Sequence, residues 1–415
     1  MELEEIKAIL KKYGQEHLLN HYENLDDAHK KELLKEIKNI DFELMHSLYQ
    51  KTEKAEEKNQ KDEITPIEYL DKYKLNDQYK YYEAIGKKEI KAGKLAVVTM
   101  AGGQGTRLGH DGPKGTYDIG LDSHKSLFEL LCDGIKAEAK KYDVTIPWFI
   151  MTSRQNNEET VEFFKKNKFF GYQKDRNIFF FNQGELPMMD TEGKILIGED
   201  GLIKLAADGH GGTYEALVKN GMIDKMKEMG IEWVFIAGVD NCLIKMVDPV
   251  LMGIAEDKKV TVACKSIVKA NPKEKVGVFC KKNGKPNVIE YTEITDEMAN
   301  ATDENGELLY GESHILSNLF NITAIERMGA NPLPYHLAYK KATYMDKDGN
   351  IVVPDSPNAY KFEAFLFDAF GEVDEMAVLR VKREEEFAPV KNADSAGVDC
   401  PRTARKLYQE FYHLY

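Results

Sequence analysis

The chain has 415 residues, 42% hydrophobic and 31% charged, which is the balance of a globular protein and enough length for more than one core. A net charge of −13 excludes wholesale nucleic-acid binding, and no apolar run approaches the ~18 residues of a membrane span. The first residues lack the apolar centre of a signal peptide and the cysteines (Cys132, Cys242, Cys264, Cys280, Cys400) form no C-x-x-C pair, so reduced thiols and a cytoplasmic location are expected.

Residues 1–90 read as a helical subdomain. Leu3, Ile6, Ile9, Leu10 and Tyr13 recur at helical spacing, and Leu33, Leu34, Ile37 and Ile40 do so after Asp26-Asp27, which suits a helix cap. The charge run Lys51–Glu63 reads as a solvated helix or a linker.

The stretch Leu95–Gly115, LAVVTMAGGQGTRLGHDGPKG, carries the strongest signal. An uncharged apolar strand predicts burial on both faces of a parallel sheet. The loop that follows, Ala101, Gly102, Gly103 and Gly105, lets backbone N–H groups approach an anion. Arg107 and Lys114 follow, the lysine directly after Pro113, whose ring restricts the local backbone. A strand, a glycine loop and two cations describe a polyphosphate site. A dinucleotide fingerprint is imitated loosely by Gly103, Gly105 and Gly109, but the next strand ends in Thr152-Ser153-Arg154 without the acid that holds a ribose. No G-x-x-x-x-G-K-[ST] loop exists in the chain.

Strands and helices then alternate through a capping box at Ser126–Glu129, a strand at Pro147–Met151, a helix through Glu158 to Lys166 and a strand at Ile178–Phe181. This predicts a doubly wound, Rossmann-like α/β sheet whose ligands bind beyond the carboxyl ends of its strands. Gln183 falls at such an end and offers donor and acceptor side by side. Ala207–Thr213 is a second glycine turn, opening a helix at Tyr214, with Gly209 and His210 in it. Asp240 follows the strand Glu232–Gly238, and its carboxylate suits either a Mg²⁺ ion among phosphates or a helix cap. Antiparallel strands are expected at Val260–Val268, Val276–Cys280 and Asn287–Thr292, with Asn283-Gly284 turning between the last two. Tyr360–Glu363 reads as the start of a helix running through Phe367, and a short aromatic helix ends the chain.

From Leu95 to Arg405 the chain resembles UDP-N-acetylglucosamine pyrophosphorylases, within the wider group of UTP–sugar-1-phosphate uridylyltransferases. The matching segments are GGQGTRLG with GPKG, the VDN around Asp240, VGVFCKKNGKPNVIEYTEI and EEEFAPVKNADS. The resemblance implies that Gln183 and the glycine loop contact uracil, and that Gly277, Glu290 and Asn318 contact the hexose. An insertion around Ala299–Glu307 precedes Asn318. It further implies that Lys361 and Lys391 reach the sugar phosphate, that Arg107 and Lys114 hold the UTP phosphates, and that Asp240 binds Mg²⁺. Where the N-acetylglucosamine enzymes usually show Asn, this chain has His210, which is similar to the glucose-type enzymes. The expected substrates are UTP and a hexose-1-phosphate, with no nucleic-acid or membrane partner. Alternatives are a glucose- or galactose-type uridylyltransferase, or a UDP-sugar binder without catalysis. The expected organisation is a helical subdomain (1–90), a catalytic domain with an inserted sugar hairpin (91–330) and a short C-terminal α/β extension completing the site (331–415). A monomer is compatible with the sequence, and the further C-terminal domain of the eukaryotic enzymes is not expected.

Overall fold

Leu95–Met100, the strand before the glycine loop, lies inside a long mixed sheet. The computed structural model describes residues 2–53 and 62–414, so residues 54–61 of the predicted charge-run helix or linker lie outside the described residues. The sheet runs Leu70–Asp71, Ala377–Arg380, Val262–Val268, Glu312–Asn321, Trp233–Gly238, Leu95–Met100, Trp148–Thr152 and Ile178–Asn182. Glu312–Asn321 is antiparallel to both neighbours, and every other pairing along this path is parallel. All residues of Leu95–Met100 and Trp148–Thr152 are buried, as expected of strands covered on both faces. The predicted mixed α/β sheet is therefore present.

Local signals placed several boundaries. The Ser126–Glu129 capping box is formed and opens the helix Leu127–Tyr142, and Asp26 caps Asp27–Asn39 by accepting from His29 N–H. The hairpin strands are Val278–Lys282 and Lys285–Ile289, displaced by about two residues from expectation. A two-residue turn sets this register: Asn283 and Gly284 both have positive φ, 51° and 80°, which shortens the connection to those two residues.

The linear division into 1–90, 91–330 and 331–415 does not match the contacts. One compact unit combines Met1–Lys61, Gly184–Gly212 and Leu333–Phe365; the other combines Asp62–Gln183, Thr213–Pro332 and Leu366–Tyr415. The physical reason lies in which apolar faces meet. Leu10, Leu33, Ile37 and Leu48 of the first helices are buried with Met189, Ile195, Ile203 and Phe362, which come from far along the chain. The helix Asp77–Lys91 belongs instead to the sheet-bearing unit, where its Gly86 packs on the backbone of Pro249.

The helix expected from Tyr360 is also corrected. Ala359–Glu363 is a strand, paired with His336–Lys340 on one side and Met189–Asp190 on the other. Tyr360-Lys361-Phe362-Glu363 alternates apolar and charged side chains, a period of two that suits a strand better than a helix. Only beyond Leu366 does the chain coil, as a 3₁₀ segment to Glu372.

Candidate active site

The glycine loop is folded back on itself and pinned to the neighbouring strand Trp148–Thr152. Ala101 N–H donates to the Met151 carbonyl at 2.8 Å, Gly105 N–H to Gly112 at 2.9 Å and Lys114 N–H to Gly103 at 3.1 Å. These bonds bring Lys114 beside the glycines at the carboxyl end of the central strands. Arg107 is exposed on the single turn Thr106–Leu108. Gln183 leaves the edge strand Ile178–Asn182, two places along the sheet, with its N–H on the Thr152 carbonyl (2.8 Å), and lays its side chain against Gly102. A Cβ at position 102 would stand 2.2 Å from Gln183 Oε1, so only glycine permits this approach.

Asp240 enters from the end of Trp233–Gly238, and its Oδ2 lies 3.8 Å from Lys114 Nζ. Its backbone carbonyl accepts Val390 N–H at 2.8 Å. Asn241 fixes the same junction: its amide donates to the Glu386 carbonyl (2.8 Å) and its Oδ1 accepts Ala388 N–H (2.9 Å). The EEEFAPVKNADS segment is thereby stitched to the strand that carries Asp240, and Lys391 is delivered to the glycine-loop lysine. Lys391 and Asn392 N–H groups both donate to the Asp399 carbonyl, at 2.7 and 2.9 Å. Burial pushes the Lys114 ammonium below its ordinary value; Asp240 opposes that, and the charges of Lys391 and Arg107 add to it. Four predicted residues, Arg107, Lys114, Asp240 and Lys391, thus form one electrostatic cluster.

Glu386, on the segment that carries Lys391, belongs to a buried charge network that sequence reading misses. Lys265 Nζ contacts Glu386 at 2.5 Å and Asp248 at 2.9 Å, and Lys72 Nζ contacts Asp248 at 2.8 Å and Glu386 at 3.4 Å. Asp248 also caps the helix Pro249–Lys258. Burial alone would raise the Asp248 carboxyl, but Lys265 and Lys72 hold it well below the usual range. Lys72 and Glu386 are 314 positions apart in the chain, so no local pattern announces the network.

On the predicted sugar side, Gly277 and Glu290 are adjacent: a Cβ on Gly277 would lie 3.1 Å from Glu290 Oε1. The Gly277 carbonyl accepts His314 N–H at 2.9 Å. Asn318 is fully buried, with Oδ1 3.0 Å from His314 Nε2 and its amide directed at the Ile236 carbonyl (3.5 Å). The structure therefore joins Gly277 and Glu290 and places Asn318 in the sheet interior.

The smaller unit carries the remaining predicted residues. Gly209, at φ +91°, lies against the Ala364 backbone, and Gly211 N–H donates to the Ala364 carbonyl at 2.9 Å. The half-buried His210 ring stacks on Phe365 at 5.5 Å and 28°. Lys361 Nζ lies 2.6 Å from Glu363 Oε1 on its own strand.

Residues 41–399 match the family model described as UTP–glucose-1-phosphate uridylyltransferase, and the chain belongs to this uridylyltransferase family. It is 35% identical to the human UDP-N-acetylhexosamine pyrophosphorylase-like protein 1, over 97% of this chain and 83% of that protein. It is 35% identical to the Saccharomyces cerevisiae UDP-N-acetylglucosamine pyrophosphorylase, over 97% and 88%. Among solved structures, the Trypanosoma brucei uridine diphosphate N-acetylglucosamine pyrophosphorylase in complex with inhibitor superposes with a TM-score of 0.83 at 31% identity, covering 99% of this chain and 85% of that one. A Trypanosoma brucei UDP-glucose phosphorylase, at 18% identity and a TM-score of 0.64 over 90% and 76% of the chains, shares the fold. No described helix is long and apolar enough to cross a membrane.

Proposed function

We propose that this member of the family joins UTP to N-acetylglucosamine-1-phosphate, releasing pyrophosphate and UDP-N-acetylglucosamine. The observation that carries the reading is the gathering of Arg107, Lys391 and Asp240 around Lys114 beside the glycine loop. In the reaction, an oxygen of the sugar phosphate attacks the α-phosphorus of UTP. The new P–O bond forms as the bond to the bridging oxygen breaks, and that electron pair leaves with pyrophosphate. The nucleophile is already an anion, so no base or covalent intermediate is needed. The protein's task is to hold mutually repelling anions in line.

Arg107 is assigned to the β- and γ-phosphates and Lys114 to the α-phosphate. Lys391 takes the incoming sugar phosphate; the resemblance also assigns Lys361 a phosphate contact, for which it would exchange Glu363 on its own strand. Gln183 on Gly102 supplies the donor and acceptor for uracil; the resemblance also assigns Gly209 and His210 of the smaller unit to the nucleotide. Asp240 fits a Mg²⁺ ion: it is a half-buried carboxylate whose lysine neighbour stands 3.8 Å away, and magnesium takes its remaining ligands from phosphate and water. When bound, the ion neutralises phosphate charge. Gly277 and Glu290 are assigned to the sugar hydroxyls, and a cytoplasmic location suits both substrates.

A second reading, glucose- or galactose-1-phosphate as acceptor, is favoured by His210 on Phe365, an aromatic pair where the N-acetylglucosamine enzymes usually carry an asparagine. Pyrophosphate release from UTP and Mg²⁺ with GlcNAc-, GalNAc-, glucose- and galactose-1-phosphate tests both. Turnover confined to the N-acetylated sugars supports the first reading and turnover with glucose or galactose the second. Binding of UDP-sugar without release from any acceptor would defeat both.

A further inference from the structure

We propose that Asn156 is a positioning residue that sets the shape of the glycine loop; the proposal rests on the reading that this loop holds the UTP phosphates. Asparagine is among the preferred helix N-caps, and Asn156 stands at the N-cap of Asn157–Lys166. Its side chain nevertheless makes no cap bond to that helix. The side-chain amide turns the other way, donating to the Ala101 carbonyl at 2.9 Å and to the Gly103 carbonyl at 3.3 Å. Its Oδ1 accepts Ser153 N–H at 2.8 Å, which fixes the amide's orientation, and the residue is fully buried.

The consequence for the loop is geometric. With their carbonyls drawn inward to one amide, Ala101 and Gly103 are restrained on both sides of Gly102, the residue that Gln183 covers. Gly103 is doubly tied, since its carbonyl also accepts Lys114 N–H. One buried side chain thus links the loop's backbone orientation to the position of the phosphate-facing lysine. Glycine-rich backbone is otherwise the most costly to order, and a tether that orders it before binding removes that cost from the affinity for nucleotide.

The test compares Asn156→Ser and Asn156→Asp with the parent protein. Serine is neutral and too short to span both carbonyls. Aspartate is isosteric, keeps the acceptor for Ser153 N–H and loses the donor. Initial rates give separate KM values for UTP and the sugar phosphate, calorimetry gives the UTP Kd, and a thermal melt gives the folded fraction. Losing two hydrogen bonds of ordinary net strength corresponds to about a tenfold rise in UTP KM and Kd for the serine variant. The aspartate effect is expected to be larger, and the sugar-phosphate KM is expected to stay within about twofold. A residue that only supports folding would lower kcat through the folded fraction and leave UTP KM unchanged; that result overturns the proposal. Parent protein that binds no UTP would overturn the phosphate-loop reading itself, a separate outcome.

Discussion

Lys114 Nζ stands 3.8 Å from Asp240 Oδ2, a glycine-loop lysine facing a carboxylate from the neighbouring parallel strand. The pair is partly exposed and loosely spaced, so each partner is free to exchange the other for a phosphate or a cation. Removing the lysine withdraws a positioned charge from the reacting phosphates. Lys114→Ala is expected to lower kcat/KM for UTP by about 10²–10³-fold with no loss of melting temperature, since the buried ammonium opposes folding. Steady-state pyrophosphate release measures this, and a variant retaining more than a tenth of parental activity would remove Lys114 from the mechanism.

Asp240→Asn separates metal binding from phosphate binding. The amide keeps the volume and loses the charge that a hard cation prefers. The Mg²⁺ concentration for half-maximal rate should rise at least about tenfold, while nucleotide affinity without metal is unchanged or tighter because a repelling carboxylate is gone. A Mg²⁺ titration of the parent and variant decides it; superimposable curves would take the metal away from Asp240.

The lowered proton affinity of Lys114 has a signed consequence. Burial pushes it down in the free protein, and a bound phosphate raises it again. UTP binding should therefore take up a proton in the alkaline window between the two values, and affinity should fall as pH rises through the lower one. For stability the sign is opposite: below that value the buried ammonium opposes folding, and its deprotonation relieves the opposition as pH rises. Calorimetry in two buffers of different ionisation heat detects the uptake, which should vanish in Lys114→Met.

Features that depend on residues close together in the chain are legible in the sequence. The glycine loop, the Ser126 capping box and the apolar strands are of this kind, and they form where expected. Tyr360–Glu363 reads wrongly as a helix because the aromatic run that follows it, Phe365-Leu366-Phe367, outweighs the two-residue alternation of the short strand. Asn156 has the sequence position of a cap, and only the fold turns its amide to residues 55 and 53 positions away. The Lys265 network is illegible for the same reason: its partners meet only after the sheet closes. Asn318 is assigned to the sugar on resemblance, whereas its burial on Glu312–Asn321 follows from strand pairing that its neighbours in sequence do not reveal.

The buried network makes a stability prediction. Glu386→Gln leaves Lys265, fully buried, with Asp248 as its carboxylate partner, and removing one member of a buried ion pair costs about 3–5 kcal/mol. Urea denaturation should show that loss, and Lys391-dependent turnover should fall with it because Glu386 anchors the segment. The Asp248 contribution runs with pH in a fixed direction: its carboxyl is held low, so its stability is complete above the ordinary value of about 4 and drains as pH falls below it. A Glu386→Gln midpoint within experimental error of the parent would mean that the network relaxes without consequence.

Gly277 and Asn318 should separate in opposite ways. A methyl on Gly277 would lie 2.8 Å from Val288 Cγ1 and 3.1 Å from Glu290 Oε1, so Gly277→Ala must shift Val288 and push the carboxylate assigned to the sugar off its position. The sugar-phosphate KM should rise, by up to about tenfold if the carboxylate's hydrogen bond is lost, with UTP KM little changed. Asn318→Ala instead deletes the side-chain oxygen that meets His314 Nε2 in the interior, and about 1–3 kcal/mol of stability should be lost. If Asn318 acts on the sugar only by supporting the strand, turnover per folded molecule will be nearly parental and the sugar KM unmoved. A rise in sugar KM at full folding would instead place its amide at the hexose, through a rearrangement of the His314 contact on binding.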